Sequence, residues 1–167
     1  MNLTSYKEEI LNNGFTVIDD IFDAAEIDEI ISTINNADQS NATFRKTGDL
    51  FAIRQFLIEL PQIKQMIFNA KLKSIINNLF GSDYFAVKSI YFDKPEKSNW
   101  FVGWHQDLTI AVDKKIKIPD YNNWTVKLNR FAVQLPLEML QDNFTIRIHL
   151  DDTDEGNGTL RAKLRYH

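Results

Sequence analysis

The chain contains no cysteine. That excludes disulfide frameworks and thiolate metal sites together, and it makes a reducing, cytoplasmic location the expectation. Long apolar runs are missing too: none approaches the length needed to span a bilayer, and the opening from Asn2 to Glu9 is polar, without the apolar core of a secretion signal. A basic stripe is also absent. With 19 Lys and Arg against 23 Asp and Glu, the formal net charge is -4, the wrong sign for a polyanion-binding surface. The short cluster Lys114, Lys115 and Lys117 sits beside Asp113 and Asp120 and reads as a solvated loop or edge. Neither a membrane nor a nucleic acid is therefore an expected partner. Internal repeats, low-complexity tracts and Pro/Ser-rich linkers are lacking as well, so a single domain over 1–167 is expected.

What is present is ordinary globular material. A length of 167 residues with 44% hydrophobic content can bury a sizeable core. The first half reads as helical. Ser5 and Glu8 have capping-box spacing, and Gly14 supplies a left-handed stop after Asn13. Phe15 to Ile18 follows as a short strand. Asp23, with Glu26 three residues on, opens a second helix whose Ile27, Ile30, Ile31 and Ile34 form one apolar stripe. Asn35 to Asp49 reads as a polar loop and Phe51 to Glu59 as a helix. Pro61 starts another helix through Asn69, and Leu72, Ile75, Ile76 and Leu79 mark the last, closed by Gly81.

From Tyr84 the period changes to that of strands. Phe85 to Phe92, Trp100 to Trp104, Leu108 to Val112, Phe131 to Gln134 and Phe144 to Leu150 carry aromatic and β-branched residues. Asp113 to Trp124 reads as a loop and Asp151 to Gly158 as a turn. Helices first and strands afterwards suggest an α+β protein or a β-sandwich with a helical cover.

Side chains two apart in a strand share a face. His105 and Asp107, within Trp104-His105-Gln106-Asp107, would then point the same way. An imidazole beside a carboxylate can occupy two corners of a metal octahedron; a third ligand would leave three positions open, as in non-haem iron oxygenases. The alternative is a histidine hydrogen-bonded to a nearby acid. Arg147 and His149 share a face of the Phe144–Leu150 strand and could approach an acid and the metal respectively, or simply line the pocket. Lys88 and Gln134, polar groups at inward strand positions, could contact an acid held at that metal, or be a solvated lysine and an edge glutamine. Trp104 and Trp124 could shape a substrate entrance or pack the core, and Arg54 is expected to bridge to a carboxylate.

Three ordered segments resemble landmarks of the phytanoyl-CoA dioxygenase family. They are Gly14-Phe15-Thr16-Val17-Ile18, Trp104-His105-Gln106-Asp107-Leu108-Thr109, and Leu150 through Asp151, Asp152, Glu155, Asn157 and Gly158 to Leu160. The resemblance implies N-terminal helices covering a double-stranded β-helix, or jelly-roll, barrel. It implies Fe(II) held by His105 and Asp107, 2-oxoglutarate as co-substrate with O₂, and hydroxylation of a small-molecule or acyl substrate. Retention of Asp107 favours hydroxylation, because related halogenases replace that carboxylate with a small residue. The family takes its second iron histidine and its 2-oxoglutarate arginine from strands beyond the Asn-Gly turn, whereas this sequence stops at His167. His167 matches a loop histidine that is not an iron ligand. The expectation is a domain without its C-terminal strands, its unpaired strands open to self-association. Two alternatives stay open: a non-catalytic jelly-roll binding module or enzyme remnant, and a site completed across a dimer by His149 or His167.

Overall fold

A computed structural model of the chain describes residues 2–47, 50–93, 103, 107–153 and 162. They form α1 (Leu3–Asn13), α2 (Ala24–Asn35), β1 (Phe44–Thr47), β2 (Leu50–Arg54), α3 (Phe56–Glu59), α4 (Ile63–Ile67), α5 (Ala70–Leu79), β3 (Ile90–Asp93), β4 (Thr109–Val112), β5 (Asn122–Lys127), β6 (Arg130–Gln134) and α6 (Leu137–Gln141). The chain divides into two compact units. One joins Met1–Asp38 to Leu57–Phe85 and picks the chain up again at Thr153; the other joins Gln39–Phe56 to Ala86–Asp152.

The first unit is helical, and its helices start and stop on local side-chain chemistry. Asn2, not Ser5, caps α1: its Oδ1 accepts from the Ser5 amide at 3.3 Å. The Ser5 hydroxyl instead donates to Glu9, so the Ser5–Glu8 box expected from spacing does not form. Gly14 closes the helix at φ 85, its amide bonded to the Ile10 carbonyl. Asp23 and Glu26 do form a reciprocal capping box, with bonds of 2.9 and 2.8 Å. Glu26 has a second role, since its other carboxylate oxygen accepts from Asn69 Nδ2 at 3.1 Å. Asn69 in turn caps α5 through the Leu72 amide. This polar stitch ties the starts of α2 and α5 together. α1 packs on α5 and α2 on α4, and the core between them is Ile30, Ile34, Ile63, Leu72 and Ile75. Full burial of such side chains contributes ~2–3 kcal/mol each.

The second unit holds two antiparallel sheets, ordered β1-β2-β3 and β4-β6-β5. Two sequence expectations fail here. Residues expected as loop (Asn35–Asp49) contain β1, and the expected helix Phe51–Glu59 is strand β2 followed by the single turn α3. Neighbours decide this: β2 is the central strand, laddered on both sides, with Ala52 and Ile53 buried. Phe51 stands against Phe44 and Tyr91, with ring centroids 6.3 and 6.0 Å apart. Gln55, at φ 58, turns the chain out of the strand.

The strand expected over Phe85–Phe92 shortens to Ile90–Asp93, and Trp124 belongs to β5 rather than to a loop. Phe15–Ile18 and Phe144–Leu150 join no ladder among the described residues. The second of these shows alternating burial only in its last part, with Ile148 and Leu150 half-buried and Arg147 and His149 exposed, while Ile146 is exposed too. Alternation makes a segment fit for a sheet, but only a neighbouring strand makes it one. The architecture is thus mixed helix and sheet, and neither three-stranded sheet closes into a barrel among the described residues. No described helix is long and apolar enough to cross a membrane.

Candidate functional site

In the second sheet, central β6 sets the positions of the polar residues. Gln134 lies opposite Thr109 of β4 on one side and Asn122 of β5 on the other, and directly opposed residues share a face. A register shift between Asn122 and Thr125 bends β5 at this point. Asn123, left-handed at φ 51, uses the bend to donate its amide to Gln134 Oε1.

Asp107 stands two residues before β4. Its carboxylate is 60% exposed and accepts from Lys88 Nζ at 3.1 Å, the lysine side chain being 42% exposed. Exposed ion pairs of this kind contribute ~0–1 kcal/mol. The pair is therefore exchangeable, and Asp107 keeps its second oxygen without a partner among the described residues.

His105 and Trp104, the residues expected to ligate iron and to shape the entrance, lie outside the described residues. Of the other residues singled out from sequence, only Lys88 bonds Asp107; Gln134, Arg147 and His149 do not. Trp124 is half-buried, and Lys115 Nζ lies 5.9 Å from its ring centroid, a cation–π contact across the approach to β5. Arg54 makes no salt bridge among the described residues, contrary to the expectation; it stands on β2 across from β1, which carries Arg45 and Lys46. The other ion pair joins Arg130 to Asp113.

Among the described residues no group of three or more His, Asp or Glu is placed to hold a metal ion. His105 falls outside that set, so the finding bears on Asp107 alone. Lys88 and Asp107 both stand out in the sequence, but no local signal pairs them. Nor does one bring Arg45 beside Arg54, because the residues of β1 and β2 read as a loop and a helix. No family model, curated protein or solved structure matches the chain.

Proposed function

We propose that the chain is a non-haem Fe(II)/2-oxoglutarate-dependent oxygenase of the phytanoyl-CoA dioxygenase type, built on a jelly-roll framework and hydroxylating a small-molecule or acyl substrate. The observation that supports it is the setting of Asp107. The carboxylate of the His105-Gln106-Asp107 motif lies exposed beside an antiparallel sheet, and its one bonded partner among the described residues is a weakly held lysine.

The described donor fits one corner of an iron site: an exposed carboxylate with an open oxygen. His105 would supply the second protein ligand. When bound, iron together with a 2-oxo acid activates O₂ for hydroxylation. In this reading Asp107 offsets the charge of the divalent ion. Lys88, released from Asp107, then becomes a counter-charge for a carboxylate of 2-oxoglutarate. Gln134 and Arg147 are further polar groups for the same co-substrate, and His149 and Trp124 remain candidate pocket-lining residues.

The competition between Lys88 and metal for Asp107 is the test. Anaerobic calorimetric titration with Fe(II) or Co(II) should show binding that His105→Ala and Asp107→Ala remove. Lys88→Met should tighten binding by up to about fivefold, the equivalent of the ~0–1 kcal/mol held in the exposed pair. Metal binding unchanged by His105→Ala and Asp107→Ala would sink the assignment.

A second reading has one observation in its favour: Asp107 already has a counter-charge in Lys88. On that reading the pair belongs to a non-catalytic binding module. Succinate formation that requires iron and 2-oxoglutarate, and stops with His105→Ala, separates the two.

A further inference from the structure

Edge strand β1 and central strand β2 pair Phe44 with Ile53 and Arg45 with Ala52. The ladder continues one step beyond β1, with the Arg54 amide donating to the Thr43 carbonyl at 2.9 Å. Directly opposed residues of an antiparallel pair share a face, so Thr43, Arg45, Ala52 and Arg54 belong to one side of the sheet. Arg45 and Arg54 are diagonal neighbours on that side, and Lys46 follows Arg45 along the edge. All three line a cleft of about 350 Å³, together with Ala42, Phe44 and Leu128 among the described residues.

Among the described residues no carboxylate lines this cleft, and none of the three cations has an ion-pair partner there. Like charges on adjacent strands destabilise a sheet unless something of opposite sign lies between them. The chain is rich in acids, at a formal net charge of -4, yet none of the described ones is placed here. A further polar group is left over nearby. Thr43, between the lining residues Ala42 and Phe44, is 8% exposed, and its Oγ1 is buried without a hydrogen-bond partner. The opposite wall is a held turn: Leu128, left-handed at φ 50, accepts from Gln55 Nε2 at 3.5 Å.

We propose that Arg45, Lys46 and Arg54 form a binding cleft for a small organic molecule bearing a doubly charged oxyanion group, a phosphate ester or a dicarboxylate. Guanidinium forks match the geometry of both groups, and Leu128 covers the uncharged part of the ligand. The volume is at the low end of the range for small-molecule sites. The cleft shares no residue with the Lys88–Asp107 pair, and its occupancy does not depend on iron.

The test titrates the metal-free 167-residue chain with pyrophosphate and, separately, with malonate, at ionic strength held constant with chloride. Saturable calorimetric binding and a raised melting temperature are expected for at least one of them, and which one binds tells phosphate from dicarboxylate. Arg45→Gln should weaken that binding at least fivefold, while Lys114→Gln, a cation outside the cleft, leaves it unchanged. Arg45 is exposed on an edge strand, so its loss should spare the fold; in chloride alone the variant should melt no lower than the parent. Absence of saturable binding for both anions overturns the proposal, as does weakening of less than fivefold in Arg45→Gln.

Discussion

Tyr91 shows how one side chain carries information about its surroundings. It stacks on Phe56 with centroids 5.7 Å apart, meets Phe51 edge-on, and is half-buried on β3. Burial, with smaller contributions from the Asp93 and Asp151 carboxylates, pushes its phenol up from 10.0 to about 12. Because the folded value lies above the unfolded one, the chain must give up a proton on unfolding above pH ~10. The stabilisation is thus complete below pH ~10 and is lost as pH rises through about 12. Urea midpoints measured from pH 8 to 12 should fall over that interval, and Tyr91→Phe should flatten the fall. An identical slope in the variant would mean that the alkaline loss comes from elsewhere. Nothing in the sequence around Tyr91 announces this, because its burial comes from Phe51 and Phe56, which lie on other elements.

At the scale of elements, helices were legible and strands much less so. The Asp23–Glu26 box and the Gly14 stop are local signals, and both are realised. The start of α1 was misjudged because Asn2 and Ser5 are both good caps three residues apart, and local chemistry alone does not rank them. The β5–β6 hairpin turns through Leu128 and Asn129 at φ 50 and 58. Its usual signature is Asn-Gly, and a leucine in a left-handed position hides it. Asp23→Ala should cost ~1 kcal/mol in chemical denaturation. Glu26→Ala should cost more, because that carboxylate also receives Asn69 and so holds the starts of two helices. Equal losses in the two variants would show that the Asn69 bond contributes nothing.

Across the whole molecule, the chain passes between its two units repeatedly, so neither is a continuous piece of sequence. The sheet unit keeps Ala52, Ile53 and Phe56 of its core on residues 39–56, far in sequence from buried Val133 and Leu135. A fragment of residues 86–152 holds all of β4, β5 and β6 but leaves β3 without β2. It should show no cooperative thermal transition by circular dichroism, whereas the intact chain should melt cooperatively. A sharp melt in the fragment would mean that β4-β6-β5 folds alone. Two of the sheet edges carry their own protection, Arg45 and Lys46 on β1 and a register shift with Lys127 on β5, features that oppose edge-to-edge pairing. What the sequence determined by itself is local: the cap of α2, the stop of α1, and the apolar stripes of α2 and α5. A helix closes its hydrogen bonds within four residues, so those signals lie side by side in the chain. Tertiary structure decided which extended segments became strands, that Lys88 meets Asp107, and that Arg45 and Arg54 share a face. Each of these needs a partner brought from a distant part of the chain, and ladder register, not residue type, chooses that partner.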